Sequence, residues 1–437
     1  MKDTIQYIIK FLLNENPDTN NSDLIGYTNN AKEFSQYKVV IKPSGFFDAE
    51  YYGTNKSLPE LPLKIWEETP LLFGEPVTEN LENTIILHAD LIASSYCLIS
   101  RYEEWVRKDI RDSHGRFPGK ESLPYRAGFI DRPLVDEYGK LLRNLLRQTG
   151  VTVPEPPQKI NKIYLTHDID QMAHYRKVRS LIGGLLRGIK RRKEGQRAIN
   201  SFFGSIRNDP WYTFPFLFKV DNEVVKNLGS KRCETIAFFR SSNSKRREDK
   251  PVPNLIHPDH KTLIRYCKRK NVTIGLHTSY EAGIHPQIIA EEKQRLEKAA
   301  NVKCYYNRNH FLCSREPIDM LELIECGITD DFTIGYADMA GFRLGTCRPV
   351  KWINLGTKQL FPLTLHPLAI MDITLNDKRY MYMNAHDAYE YCIQLIDCIE
   401  KYNGEVNILW HNNSVEKSPD SYHRKLYKDL IKYLQTK

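Results

Sequence analysis

The chain has 437 residues, roughly three times the length of an ordinary domain, so two domains, or one large α/β barrel with an extension, are expected. Hydrophobic residues make up 41% and charged residues 27%, with 23 Gly and 23 Pro, which excludes wholesale disorder, collagen and a long coiled coil. The formal net charge is +9, but nine basic residues and one acid fall between Arg176 and Arg197, so the remainder is close to neutral. A nucleic-acid binder would spread its cations over a recognisable module or interleave them with aromatics, and neither pattern occurs, so no nucleic-acid partner is expected.

The first apolar stretch, IQYIIKFLL, carries Lys10 and lacks a small-residue cleavage site, so it reads as a helix and not a signal peptide. No apolar run approaches the roughly 20 residues that span a bilayer. The nine cysteines are odd in number and contain no C-x-x-C pair, which suits reduced thiols and a cytoplasmic location. HADLIASSYCLISRYEEW has helical periodicity, Arg107 to Pro133 is polar, and the first 150 or so residues hold no motif with nameable chemistry. At VPEPPQK, Val153 to Lys159, clustered prolines impose an extended connector. The expected division is an N-terminal α+β domain of unknown role, 1–153, and a second domain, 154–437.

Between Arg176 and Arg197, Val178, Leu181, Ile182, Leu185, Leu186 and Ile189 recur as on an amphipathic helix. Such a helix either packs one face on a core or lies on an anionic membrane surface, a peripheral contact. Gly183, Gly184 and Gly188 weaken it in either case.

Further on, short apolar runs alternate with helical segments. Strands are predicted at Lys162 to Thr166, Thr235 to Phe239, Val272 to Leu276, Lys303 to Tyr306 and Val406 to Trp410. Helices are predicted at Ile288 to Ala299 and Ala385 to Tyr402. This alternation predicts a parallel sheet or barrel with helices outside. Four strands run into chemistry: IYLT into His167-Asp168-Ile169-Asp170, TIGL into His277, CYYN into Arg308-Asn309-His310, and NILW into His411. Barrel active sites lie at the C-terminal ends of strands, so these residues are expected on one rim.

Asp168 and Asp170 are two apart and share a face if the strand extends that far. A carboxylate oxygen with two imidazole nitrogens suits zinc or a similar divalent ion that keeps one position open for water. One carboxylate would hold the ion, the other would take a proton from water, and a histidine opposite would protonate the leaving group.

The order THDID, GLHTSYE, RNHF, ILWHN resembles the polysaccharide deacetylase family (NodB-homology domains, carbohydrate esterase family 4), over roughly Ile160 to Asn413. The resemblance implies a distorted (β/α) barrel and removal of acetyl groups from N- or O-acetylated sugars with a divalent metal. By position it makes Asp168 the catalytic base, Asp170 and His277 metal ligands, Arg308 the group that positions the base, and His411 the general acid. Where the family has a second histidine after His277 this chain has Glu281, so the third ligand is His310, at another strand end, or Glu281. No D-x-x-D-W motif is present, and Asp331 is the candidate acid to tune His411. The preceding domain adds a likeness to bacterial surface-polysaccharide gene products.

The glycine-rich run Gly335 to Thr346 is expected to cover the barrel mouth, with Arg343 a contact for a polar or acidic substrate. Trp211, Tyr212, Phe214, Phe216 and Phe218 suit either sugar stacking or core. Asp372, if buried in a strand, needs a partner such as a histidine. The resemblance implies a metal-dependent deacetylase of an N-acetylated sugar in a surface polysaccharide or glycolipid precursor. Zinc is the expected ion, with cobalt or nickel as alternatives. The rivals are a hydrolase of a non-sugar amide on the same barrel and a lapsed catalyst that binds carbohydrate.

Overall fold

Residues 1–15, 19–416 and 421–437 are described by a computed structural model, in which the chain divides into two units. The first comprises Met1–Ile160, Ile334–Ala369 and Asp397–Gly404, and the second Asn161–Thr333, Ile370–Ile396 and Glu405–Lys437. The proline-rich stretch from Val153 to Lys159 carries neither helix nor strand. The units do not divide at one point in the chain, because distant segments are recruited by side chains. Asp136, buried on the helix Leu134–Gln148, accepts hydrogen bonds from Thr346 Oγ1 (2.8 Å), Cys347 N (3.0 Å) and Arg348 Nε (2.5 Å).

The first unit opens on the expected helix, Lys2–Leu13, which buries Ile8, Ile9, Leu12 and Leu13. A four-stranded sheet follows in the order Ile25–Tyr27, Val39–Ile41, Thr84–Ala89, Gly74–Leu81, the first three parallel and the last antiparallel. Helix Leu91–Ile99 is buried on every side, as its continuous apolar sequence requires, and the Asp90 carboxylate caps it by accepting from Ala93 N at 2.8 Å. The antiparallel pair Val350–Asn354 and Gln359–Leu365 also belongs to this unit.

The second unit is mixed α/β with parallel strands. These are β1 (Lys162–Ile169), β2 (Cys233–Phe239), β3 (Thr273–Thr278), β4 (Tyr306–Asn309), β5 (Asp330–Asp331), β6 (Ile370–Met371) and β7 (Glu405–Leu409). They lie in the order β5-β4-β3-β2-β1-β7-β6, and every neighbouring pair is parallel. Parallel neighbours need long crossovers, and helices supply them: α1 (Val178–Lys190), α2 (Arg192–Phe203), α3 (Phe214–Leu228), α4 (Pro258–Arg269) and α5 (Ile289–Ala300), with α6 (Tyr422–Leu434) closing the chain.

Two predicted elements are corrected. The strand predicted at Lys303 to Tyr306 is Tyr306–Asn309, three residues later. Cys304 N is diverted to the Glu297 carboxylate (2.9 Å), and the ladder with β3 is made by Asn307, Arg308 and Asn309, whose polar side chains concealed it. The basic amphipathic segment is two helices, broken at Arg191. Gly184 faces Ala198 and Tyr175, and Gly188 faces Gly195, so these glycines permit the close crossing of α1 and α2. Among the described residues no helix is long and apolar enough to cross a membrane, and all nine cysteines are free.

Because side chains alternate and neighbouring strands hold a fixed register, Tyr164, Thr166 and Asp168 of β1 share a face with Ile236 and Phe238 of β2, Gly275 and His277 of β3, Arg308 of β4 and Asn407 of β7. Tyr164, Ile236, Phe238 and Phe332 form an apolar cluster on this face, with Tyr306 packed against it. The charged groups follow at the C-terminal ends.

Gly275 is the tight point of that layer, since a Cβ there would stand 2.6 Å from the Phe238 ring. Gly275→Ala should destabilise the protein by about 1–3 kcal/mol through overpacking, read as a lowered thermal midpoint by circular dichroism.

Candidate functional site

Three strand ends and the segment after a fourth converge on Asp170. This residue follows β1 directly, so it emerges on the same side as Asp168. Its Oδ1 lies 3.2 Å from His277 Nε2, at the end of β3, and 3.3 Å from His310 Nε2, just beyond β4. One donor atom from each of Asp170, His277 and His310 lies within 4.8 Å of the others. His411, two residues past β7, points Nε2 at Asp170 Oδ2 from 3.8 Å. The histidine side chains are 1 to 9% exposed and that of Asp170 is 27% exposed, so solvent reaches the cluster over the carboxylate.

The orientation of the imidazoles tests whether a cation fits. His277 Nδ1 donates to the carbonyl of Arg308 (2.8 Å), and His310 Nδ1 donates to Asp249 Oδ1 (3.2 Å). A neutral imidazole so held turns its Nε2 lone pair towards Asp170 Oδ1, which is repulsive unless a proton or metal ion stands between them. Two imidazole nitrogens and one carboxylate oxygen are a set that zinc and similar ions accept. The residues present therefore fit a divalent ion. Burial raises the Asp170 carboxyl, but His310 and His277 outweigh it and hold the group well below the usual carboxylate range. Burial opposes charge on His310, and Asp170 and Asp249 outweigh it to push its pKa up. Asp249, with His310 and the backbone N–H of Tyr280 and Glu281 as donors against its burial, falls to about 2. Glu281 is not in the cluster; it pairs with Arg246 and lies 3.4 Å from His285.

Asp168 is nearly buried, with Oδ2 3.6 Å from His277 Nε2 and Oδ1 accepting from Arg308 Nη1 at 3.1 Å. The Arg308 guanidinium is wholly buried. It donates further to Thr166 Oγ1 (2.7 Å), the Phe332 carbonyl (3.0 Å) and Asn407 Oδ1 (3.4 Å), and lies over the Phe238 ring at 4.7 Å.

His411 is tuned by Asp372 and not by Asp331, which corrects the expectation. Asp372 opens a short helix just after β6 and is fully buried; its Oδ1 accepts from His411 Nδ1 at 2.8 Å, and its Oδ2 accepts from His411 N at 2.8 Å and from Ser414 Oγ. Burial lowers the His411 pKa, but the Asp372 carboxylate more than reverses this and carries it up to about 9. Asp331 is occupied by Asn307 and Thr333 on the other face.

His167 is also corrected. It alternates away from Asp168 and is buried with its ring nitrogens 2.9 Å from Asp221 and 2.7 Å from the Trp410 carbonyl. Arg343 lies in the first unit, where its guanidinium bonds Glu104 (2.6 and 2.9 Å) and the Gly335 carbonyl. Tyr212, Phe214 and Phe218 are buried core. Asp249 lies in SKRREDK, a run that by composition reads as a solvated charged loop. Asn407 was legible as a polar residue inside a strand. Arg240, past β2, holds the Asp170 carbonyl with Nη2 at 2.6 Å and had no sequence signal beyond its strand-end position.

Residues 1–150 match the model of a "Family of unknown function (DUF7033)". Among curated proteins, none matches the chain. A solved "putative polysaccharide deacetylase" from Mycobacterium smegmatis is similar at 14% identity and a TM-score of 0.40, over 65% of this chain and 86% of that one. A 4-alpha-glucanotransferase from Thermococcus litoralis is similar at 10% identity and a TM-score of 0.32, over 65% of this chain and 38% of that one.

The His411–Asp372 pair sets a pH dependence. A histidine whose pKa rises from 6.5 to about 9 on folding contributes stability that is full below 6.5 and lost as pH climbs through 9. Asp372→Asn should therefore cost about 2 kcal/mol more at pH 6 than at pH 10, measured by denaturant unfolding at each pH.

Proposed function

We propose that the second unit is a divalent-metal-dependent hydrolase, built on a distorted (β/α) barrel, that removes an acetyl group from an N-acetylated sugar. The observation that carries this reading is the arrangement around Asp170. Two imidazole nitrogens share one carboxylate oxygen, a second carboxylate stands beside them clamped by a buried arginine, and a carboxylate-backed histidine faces them. The motif order THDID, GLHTSYE, RNHF, ILWHN supports the same chemistry. Asp170, His277 and His310 would hold the ion, zinc first, with cobalt or nickel as alternatives.

When bound, the ion supplies Lewis acidity, polarising the amide carbonyl and acidifying water. Asp168 acts as base. Arg308 fixes the direction of its carboxylate, which takes the proton of the water that attacks the acetyl carbon. His411 acts as acid. Its Nδ1–H is committed to Asp372, so the proton on Nε2 is the one given to the departing amine nitrogen as the carbon–nitrogen bond breaks. The products are acetate and a free amino sugar. The substrate is a carbohydrate or glycolipid, an intermediate of surface-polysaccharide assembly met in the cytoplasm.

Metal analysis and acetate release test this directly. Purified protein should carry about one zinc, cobalt or nickel ion per chain and release acetate from N-acetylhexosamine derivatives; no ion and no rescue by added metal would overturn the reading, and release from cyclic amides alone would redirect it to a non-sugar substrate. His277→Ala and His310→Ala should lose the ion, and Glu281→Ala should keep it. Asp168→Asn should retain the ion while turnover falls by about 10²-fold or more, and His411→Ala should lower kcat by a similar factor.

A further inference from the structure

The helix pair α1 and α2 is assembled the wrong way round for an ordinary surface hairpin. Its small residues face inward, with Gly184 against Ala198 and Gly188 against Gly195. Its large apolar residues face out. Along α1, Val178, Ile182, Leu186 and Ile189 form one stripe and are 63, 52, 63 and 81% exposed, and on α2 Phe203 is 75% exposed. Of the α1 leucines, Leu181 is the one that packs inward, on Tyr175 and Ala198. A helix whose packed stripe is Leu181 with Gly184 and Gly188, and whose solvent-facing stripe is made of Ile, Leu and Val, has an apolar surface waiting to be covered.

The charge around that stripe selects what covers it. Arg179, Lys190, Arg191, Arg192, Lys193 and Arg197 are exposed, and the segment's one acid, Glu194, is already engaged by Arg187 at 2.6 Å. A second copy of the chain would bring the same cations against them, and like charge facing like charge opposes association. A nucleic acid offers the phosphates but nothing for the isoleucines. An anionic bilayer offers both, with acyl chains just beneath a plane of phosphates.

We propose that α1 and α2 form an interfacial anchor that docks this protein on an anionic lipid surface, with Ile182, Leu186 and Ile189 at the acyl boundary and the cluster Lys190 to Lys193 on lipid phosphates. The pair lies on the membrane and does not cross it. The chain passes from Asp170 to the start of α1 in eight residues, so docking holds the C-terminal end of β1 close to the lipid. Resting on the deacetylase reading, this makes the substrate an N-acetylated sugar joined to a lipid.

Vesicle flotation of the full chain tests the docking without any appeal to catalysis. Wild type should float with phosphatidylcholine vesicles that contain phosphatidylglycerol, should stay behind with phosphatidylcholine alone, and should be released by high salt. The triple variant Ile182→Gln, Leu186→Gln, Ile189→Gln and the quadruple variant Lys190→Gln, Arg191→Gln, Arg192→Gln, Lys193→Gln should each lower partitioning by about tenfold or more. All these positions are exposed, so both variants should keep the wild-type circular dichroism spectrum. No flotation of wild type, or equal flotation of all three proteins, overturns the proposal. So does a dimer in light scattering that the triple variant disperses while vesicles stay unbound, which would assign the stripe to a second copy. For the substrate, both variants should hydrolyse a water-soluble N-acetyl sugar as wild type does and lose about tenfold on a lipid-linked one in anionic vesicles. Equal turnover on the lipid-linked sugar sinks the substrate class and leaves the docking standing. Absence of hydrolysis by every form sinks the deacetylase reading and leaves the flotation result untouched.

Discussion

A buried positive charge organises the second unit. Arg308 has no access to solvent, and a guanidinium in that position is tolerable only if its donors are met within the protein. The chain meets them from four directions: Asp168 and Thr166 on β1, Asn407 on β7, the Phe332 carbonyl beyond β5, and the Phe238 ring of β2 beneath the guanidinium plane. The Arg308 carbonyl also orients His277. One residue thus sets the direction of a carboxylate with its side chain and of an imidazole with its backbone, and it can do so only if β1, β4 and β7 hold their register.

That dependence explains what was legible in the sequence. Strand ends were readable because apolar runs stop abruptly at His, Asp and Arg, and β1, β2, β3 and β7 came out near their predicted places. Asp168 and Asp170 sharing a face follows from their spacing alone. His167 was misread for the same reason in reverse: adjacency in sequence means opposite faces in a strand, and its buried pairing with Asp221 carries no local mark. The β4 strand was misplaced because its ladder residues are Asn, Arg and Asn, which hydropathy assigns to a loop. What makes them strand residues is the network they enter, and that network draws on segments between 24 and 142 residues away.

The partners of the histidines were the least legible part. Asp249 and Asp372 each fix one imidazole, yet one lies in a charged loop and the other at the start of a short helix. Pairing between residues 61 and 39 positions apart leaves no periodicity to find. The demand that a buried carboxylate find a partner was nevertheless readable at Asp372, and the structure meets it with His411. In the first unit Asp136 plays the same part without chemistry, gathering Thr346 to Arg348 into a fold that sequence order would have assigned elsewhere.

The acceptors on Nδ1 divide the three imidazoles. His277 leans on a neutral carbonyl, which fixes its tautomer and leaves Nε2 as the nitrogen that offers an electron pair. His411 leans on a carboxylate in a fully buried site, which raises its pKa to about 9 and keeps a proton on Nε2 at neutral pH, the condition of an acid. His310 leans on Asp249 and so resembles His411 in its partner, but its Nε2 is aimed at the same Asp170 oxygen that His277 addresses. Under the proposed reading that aim places His310 with His277 among the nitrogens that face the ion, and leaves His411, held by Asp372 on the other side of Asp170, to carry the proton for the amine.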